Sequence, residues 1–364
     1  MRRLQRQVRQ APEDPVALRH LCAALCQRGR REEAVLLVRS FMQRAGDAHL
    51  DEMGSILMHL GAYEIAADCY LRLAQLHPSQ AAPVCKLGLL YAKTGDEARA
   101  RAEFERATRL EPRSPETWYR LGTFLLRKRV LDEAETCLRR ALQADSTYAR
   151  AHTNLGFLLD LRGERSNAVH EFQKALQLAP GDPENHFNLG ALYAESGSHE
   201  LAIEQFQAGI ALAPQSVEGH YNLGAVYFEQ RRYDDSILAF RRALKLQPDH
   251  EEALYYLGLG YLRKGLYDRA LDTLEQVARD HPPSVRLLYA IGLCYNGLEM
   301  PRQAVRVLSQ VIGLAPDHAK AHHLLGICLD KLGDREHAGE AYRRSDLFLS
   351  LARARRGAAR LDRS

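Results

Sequence analysis

The sequence predicts an all-α fold, a solenoid of about ten helix–turn–helix repeats of 34 residues each. The first observation is a set of nine glycines at a constant step of 34 residues: Gly54, Gly88, Gly122, Gly156, Gly190, Gly224, Gly258, Gly292 and Gly326. The second is that the apolar residues around each glycine recur at helical spacing. The third is a proline that closes most units. We number positions within each repeat so that this glycine is position 8.

Four segments follow from this register. Residues 1–14 are predicted to form an N-terminal basic helix or cap, because residues 1–10 carry four arginines and no acidic residue. Residues 15–46 are predicted to form a degenerate repeat, in which Cys22 replaces the glycine. Residues 47–350 are predicted to form nine regular repeats, in one array without an internal domain boundary. Residues 346–364 are predicted to form a basic C-terminal capping helix and tail.

Each regular repeat divides into two helices. Positions 4, 7, 8 and 11 lie on one face of the first helix. A glycine at position 15 is expected to end this helix in the left-handed conformation in six repeats: Gly61, Gly95, Gly163, Gly197, Gly265 and Gly333. The second helix carries a small residue, such as Ala202, and a large apolar residue four places later, such as Phe206. Because the glycine at position 8 costs roughly 1 kcal/mol in a helix interior, we expect it to allow a close approach to the small residue.

Composition limits the protein classes. Hydrophobic residues make up 46% and charged residues 26%, which is ordinary for a folded soluble protein, and the net charge of +4 does not mark a nucleic-acid binder. We find no secretory signal and no apolar run long enough to span a membrane, so we expect a cytoplasmic protein. The seven cysteines are interpreted as reduced core thiols. Metal binding by Cys22 and Cys26, which share a helix face, is the alternative.

The repeat resembles the tetratricopeptide repeat over about residues 15–350. The resemblance rests on Trp118, Leu121 and Gly122 and on the later alanine, large apolar residue and proline. It also rests on tyrosines three residues after the glycine: Tyr91, Tyr193, Tyr227, Tyr261 and Tyr295. The resemblance implies a right-handed helical solenoid that binds proteins in a concave groove lined by the first helices.

Positions 2, 6, 9 and 13 lie opposite the packing side of the first helix, and we call the surface they form the groove face. Position 6 carries an asparagine ladder, Asn154, Asn188 and Asn222, preceded by Arg120. Position 5, on its flank, carries aromatic residues: Tyr119, Phe187, Tyr221, Tyr255 and Tyr289. An amide both donates and accepts hydrogen bonds, as an extended peptide backbone requires. We therefore predict that the groove binds an extended protein or peptide segment, although these residue types also occur in an average repeat.

The ladder is similar to that of the repeat region of O-linked N-acetylglucosamine transferase, without its catalytic domain. The carboxylate clamp of chaperone-binding relatives is absent, because that clamp requires an asparagine at position 9 and no repeat here has one. A series of histidines at position 4 mimics a metal array, but successive units would hold them too far apart, so we expect them to pack: His152, His186, His220 and His322.

No catalytic motif is found, so we predict a non-catalytic scaffold or adaptor with no cofactor, no metal and no small-molecule substrate. Two other functions stay open. One is a regulatory or substrate-recruiting subunit of a separate enzyme, such as a glycosyltransferase. The other is a self-assembling scaffold. The stretch 346–361 is expected to cap the last repeat. A basic arm for an acidic partner, nucleic acid or an anionic membrane is the alternative, and we expect no such binding beyond this tail.

Overall fold

A computed structural model describes residues 14–45, 49–280, 282 and 284–361, together with Arg3, Arg6 and Val8. For residues 44, 45, 280 and 352–361 it describes the backbone alone. Most of the predicted N-terminal helix over residues 1–14 therefore lies outside the described residues. Within these ranges the regular structure is twenty helices with no strand, so the predicted all-α fold is confirmed.

The chain divides into two compact units, residues 1–180 and 181–364, and each is described by itself. Contacts in a repeat protein join neighbouring repeats only, so an array can separate into groups of repeats. The first unit contains the degenerate repeat and four regular repeats. Its helices are α1 (Pro15–Cys26), α2 (Arg31–Ala45), α3 (Leu50–Leu60), α4 (Tyr63–Leu76), α5 (Ala81–Thr94), α6 (Glu97–Leu110), α7 (Pro115–Arg127), α8 (Leu131–Ala144), α9 (Ala149–Leu161) and α10 (Arg165–Leu178).

The second unit contains the other five regular repeats. Its helices are α11 (Pro183–Glu195), α12 (His199–Leu212), α13 (Val217–Glu229), α14 (Tyr233–Leu246), α15 (Glu251–Arg263), α16 (Tyr267–Asp280), α17 (Val285–Gly297), α18 (Pro301–Leu314), α19 (Ala319–Lys331) and α20 (Arg335–Leu361). In both units the first helix of a repeat packs on its own second helix and also contacts the first helix of the next repeat, as α11 contacts α13. The first helices therefore lie side by side.

The helix ends follow the predicted chemistry. Asp182 and Ser216 accept hydrogen bonds from backbone amides in the first turns of α11 and α13, and proline occupies the first turn of α7 and α11. All six predicted glycines at position 15 have φ between +66° and +83°. In three repeats without that glycine, Arg129, Arg231 and Glu299 adopt the same conformation, with φ of 61°, 60° and 55°. The turn thus requires the left-handed conformation whatever residue occupies it.

The contact made by the glycine at position 8 differs from the prediction. The large apolar residue of the second helix, and not its small residue, lies against the glycine. A Cβ built on Gly190 would lie 2.8 Å from Phe206 Cδ1, and one on Gly258 would lie 2.6 Å from Leu274 Cγ. The same contact, between a glycine and the residue sixteen places later, recurs in all nine regular repeats. Ala202 is fully buried nearby, but the glycine is needed because a ring fills the space where its side chain would lie.

The last helix, α20, is 27 residues long and continues through the predicted start of the capping segment at residue 346. Ser345 is buried, and the Phe348 ring lies 5.5 Å from the His322 ring, so the first turn beyond the repeat contacts α19. Leu347 and Leu351 are 54% and 45% exposed. No helix in the described part of the chain has the length and apolar character that crossing a membrane requires.

Candidate functional site

In the second unit, residues of the predicted groove face meet around a pocket of about 240 Å³ between α11 and α13. Position 6 contributes Asn222, position 9 contributes Ala191 and Ala225, and position 13 contributes Glu195 and Glu229. The remaining lining residues are Ala194, Val226 and Phe206. Three of the four positions assigned to the groove face by helical spacing therefore share one surface here.

The first unit has the same arrangement of positions. Asn154 Nδ2, at position 6, donates a hydrogen bond of 2.7 Å to Thr123 Oγ1, at position 9 of the preceding repeat. Phe157, at position 9 of its own repeat, is 45% exposed. This aromatic side chain was not among the predicted site residues, although reading position 9 along the sequence shows it. Asn154, one of the three ladder residues, thus already donates a hydrogen bond within the protein.

Asn188 and Asn222 are placed differently from Asn154. Both lie in the second unit and both are partly buried. Neither amide hydrogen-bonds to another residue of the described chain. For Asn222 the reason is local: position 9 of the preceding repeat is Ala191, which offers no hydroxyl where Thr123 offers one to Asn154. These two amides retain both donor and acceptor capacity on the groove face.

The aromatic residues at position 5 pack at the junctions between repeats. The ring centroids of Tyr119 and Tyr148 are 5.3 Å apart. Those of Tyr221 and His250 are 5.1 Å apart and stacked, and Tyr289 lies 5.0 Å from His318. In each pair the second residue precedes the first helix of the next repeat. Because all three tyrosines are partly buried, each combines a junction contact with an accessible edge.

Two further aromatic residues at position 5 have other neighbours. The Phe187 ring fills the space between Gly209 and Gly219, where added Cβ atoms would lie 2.5 and 2.7 Å from its Cε1. The Tyr255 ring lies 5.3 Å from the Arg286 guanidinium, a cation–π contact. The sequence did not show that a residue of the next repeat packs against each of these rings.

Arg120, the remaining predicted site residue, lies in a small charged cluster of the first unit. Its Nε donates to Glu116 Oε1 at 2.5 Å, and Tyr148 Oη donates to the other carboxylate oxygen. Burial tends to raise the pKa of Glu116, but the hydrogen bond from Tyr148 and the charges of Arg120 and Arg150 outweigh it, so the pKa is lowered. Burial and the bond to Glu116 raise the pKa of Tyr148 above its ordinary value.

The aromatic residues at position 4 are packing residues, as predicted for the histidines. Trp118 Nε1 donates to the Pro112 carbonyl at 2.8 Å, and His152 Nε2 lies 3.1 Å from the Ser146 carbonyl oxygen. His220 and His322 make the same contact with the carbonyl six residues earlier. His152, His220 and His322 are buried, whereas His186 is partly buried, with Nδ1 2.9 Å from Gln205 Oε1. One ring nitrogen of Trp118, His152, His220 and His322 thus lies within hydrogen-bonding distance of a backbone carbonyl at a repeat junction.

The cysteines are free and, apart from the partly buried Cys26, buried, as predicted for core thiols. Burial, with a smaller effect from Cys26, raises the pKa of Cys22 to about 12, and burial raises the pKa of Cys137 to about 11. These thiols therefore stay protonated and are poor nucleophiles. Among the described residues, no group of three or more His, Cys, Asp or Glu side chains is arranged to hold a metal ion.

Comparison with sequence families covers more than half of the chain. Residues 85–149, 221–285, 257–299 and 296–359 match a family described as tetratricopeptide repeat. Residues 149–182 match a second family with the same description, and residues 192–231 match a family described as TPR repeat. These matches cover repeats in both units.

Similar solved structures include three helical-repeat proteins. MamA residues 41 to the end from Desulfovibrio magneticus RS-1 is 25% identical over 46% of this chain and 95% of that chain, with a TM-score of 0.45. YrrB, described as a TPR protein with an unusual peptide-binding site, is 24% identical over 52% of this chain and 98% of that chain, with a TM-score of 0.43. A tetratricopeptide repeat protein from Parabacteroides merdae ATCC 43184 is 19% identical over 68% of this chain and 98% of that chain, with a TM-score of 0.48.

Proposed function

The chain belongs to the tetratricopeptide repeat family, and from this we propose that it is a non-catalytic scaffold or adaptor that binds an extended segment of a partner protein on its groove face. The observation that carries the proposal is the pair of amides, Asn188 and Asn222, which have no hydrogen-bond partner among the described residues. Partly buried polar groups that the fold does not use are available to a ligand.

Geometry favours a main-chain ligand. Neighbouring packed helices lie about 8–10 Å apart, and an extended chain advances about 3.3 Å per residue, so one repeat corresponds to roughly three ligand residues. Each asparagine can donate to a carbonyl and accept from an amide of the same strand-like segment. Recognition of this kind depends little on the ligand's side chains. The accessible edges of Tyr221, Tyr255 and Tyr289 in the same unit would contribute selectivity for particular side chains.

The three asparagines at position 6 do not contribute equally to binding in this proposal. In the first unit Asn154 already donates to Thr123 and Arg120 is paired with Glu116, so Tyr119 and Phe157 are the side chains that we assign to binding there. The asparagines would bind the main chain of a partner segment in the way that we propose by analogy with the repeat region of O-linked N-acetylglucosamine transferase. Recruitment of a substrate to a separate enzyme, such as a glycosyltransferase, would be one use of the same surface.

The test starts from a peptide of about ten residues selected by the full chain from a random library. Asn188→Ala combined with Asn222→Ala removes two hydrogen-bonding amides, each worth a net of about 0.5–1.5 kcal/mol. We expect affinity to fall by about 5- to 150-fold, measured by titration calorimetry. Asn167→Ala is the matched control, because Asn167 is exposed on a second helix, α10. Unchanged affinity in a folded double variant would contradict the proposal.

A second candidate function is self-assembly, and the exposed leucines of α20 favour it. Leu347 and Leu351, which are four residues apart and share one face of the helix that extends beyond the last repeat, are 54% and 45% exposed. An apolar surface of this kind is a feature of association sites. Light scattering over a concentration series tests it: a mass that does not rise with concentration would exclude assembly through this helix.

A further inference from the structure

The pocket between α11 and α13 has the size and lining of a site for one long side chain. Its volume of about 240 Å³ is below the roughly 300–1,000 Å³ of small-molecule sites. Ala191, Ala225 and Val226 form apolar walls, and Phe206, which also covers Gly190, lies at the base. Such walls suit the methylene groups of a long side chain.

The rim of this pocket carries two carboxylates. Glu195 and Glu229 occupy the same position, 13, in successive repeats and line the pocket together. The Glu229 side chain is 62% exposed, and its Oε2 lies 3.8 Å from His199 Nδ1. A guanidinium or ammonium group at the mouth of the pocket would meet both carboxylates, and hydrogen bonds between opposite charges are stronger than neutral ones.

The surface around the pocket is negatively charged, like the two carboxylates on its rim. Helices α11 and α13 contain four glutamates and no lysine or arginine. Glu184 and Glu218, at position 2, are exposed and form no ion pair with another described residue. They lie about 16 Å along the helices from Glu195 and Glu229, at 1.5 Å per residue. The two available amides lie between these rows, so the centre of this surface is neutral and both margins are acidic.

The row at position 2 remains acidic as far as Glu252 in α15, whereas only α11 and α13 carry a glutamate at position 13 in the second unit. Position 2 is Arg286 in α17 and Lys320 in α19, and position 13 is Arg263 in α15 and Lys331 in α19. Since these residues have the opposite sign, a cationic ligand is favoured over α11 and α13, where both positions are acidic, and disfavoured over α17 and α19.

We propose that the part of the groove face formed by α11 and α13 recognises a partner segment containing arginine or lysine. One cationic side chain of that segment lies in the Phe206 pocket, with its charge against Glu195 and Glu229. This inference rests on the proposed function and adds the chemistry of the partner. The ligand's main chain passes over Asn188 and Asn222, and its further cationic residues face Glu184 and Glu218.

The test uses the full chain and a bead-displayed library of random peptides about nine residues long. Binders selected by the wild type are expected to be enriched severalfold in arginine or lysine at one position relative to the input library. The combined variant Glu195→Gln and Glu229→Gln should lose this enrichment, because glutamine keeps the shape but not the charge. Glu204→Gln is the matched control, since Glu204 is exposed on α12 outside the groove face, and should retain it.

A selected peptide is then compared with a copy in which citrulline replaces the enriched residue. We expect the charged peptide to bind the wild type about tenfold more tightly or better, a difference of about 1.4 kcal/mol, and added salt to reduce the difference. Binders without cationic enrichment, or a preference that survives in the double glutamine variant, would overturn this inference and leave the proposed function standing. Recovery of no binders at all would instead overturn the proposed function.

Discussion

At the scale of single residues, the contact between the glycine at position 8 and the large side chain above it determines the effect of substituting that glycine. Alanine is ordinarily the better residue in a helix interior, by about 1 kcal/mol. At Gly190, however, a Cβ would lie 2.8 Å from Phe206, so Gly190→Ala should destabilise the protein by about 1–3 kcal/mol. Gly313→Ala in α18, where no atom lies within 4 Å of the added Cβ, should stabilise it. Denaturant unfolding measures both changes in the free energy of unfolding. If both variants were stabilised, or both destabilised, this explanation would be wrong.

The left-handed residues at position 15 allow a second test. Arg231 adopts φ of 60°, a conformation that costs a residue with a Cβ roughly 1–2 kcal/mol. Arg231→Gly removes this cost but increases the entropy of the unfolded chain, so we expect a net stabilisation of about 0.5–1 kcal/mol. Arg231→Ala should give no comparable gain, because alanine keeps the Cβ. A shift of the urea midpoint to a lower value in the glycine variant would count against the turn being strained.

The Glu116 cluster predicts a dependence of stability on pH. The folded protein lowers the pKa of this carboxyl group, so its contribution is present above the ordinary carboxyl pKa and is lost as pH falls through the lowered value. Tyr148→Phe removes one hydrogen bond to the carboxylate. We therefore expect the variant to be less stable at neutral pH, and to lose less stability than the wild type when acidified. Urea midpoints at about pH 7 and about pH 3 test this; equal losses would exclude the coupling.

At the scale of helices, sequence periodicity predicted nearly all the regular structure, because a constant period of 34 residues places the helices of all nine regular repeats. It located Asn188 and Asn222 by phase alone. It did not predict that Phe187 would fill a space between two glycines, or that Tyr221 would stack on His250, since these contacts depend on the spacing between repeats. The pocket was missed for a related reason: its lining combines positions 6, 9, 10, 12 and 13 of two repeats with Phe206 of a second helix.

The terminal helix carries the next prediction. Deleting residues 346–364 removes Phe348 from His322, which is buried in α19. If the segment caps the last repeat, the deletion should lower solubility and increase amide exchange in α19 and the remainder of α20. Exchange in α11 to α14 should not change, because repeats stabilise their neighbours only. Unchanged exchange and solubility throughout would contradict capping and favour the basic-arm alternative.

At the scale of the whole molecule, the same locality predicts graded stability along each unit. Leu308 is fully buried against Gly292, and Leu308→Ala should cost about 2–5 kcal/mol at that site. We expect the loss to appear as faster hydrogen exchange in α17 to α19, with α1 to α6 of the first unit unaffected. Mass-spectrometric exchange measured on the intact chain distinguishes this from cooperative unfolding, in which all helices would exchange faster together.

The contact between each position-8 glycine and its covering side chain also bears on how such a chain changes length. Both partners lie within one repeat, sixteen residues apart, as Gly224 and Phe240 do. A recombination event that removes or duplicates a whole repeat therefore keeps every such pair matched, whereas a break between the two helices joins a glycine to a foreign partner. Phe187 marks an exception, because its ring lies against Gly219 of the next repeat. Tyr267 and Gly297 form a similar contact across another junction, so inserting a repeat at either place would require a glycine at the matching position.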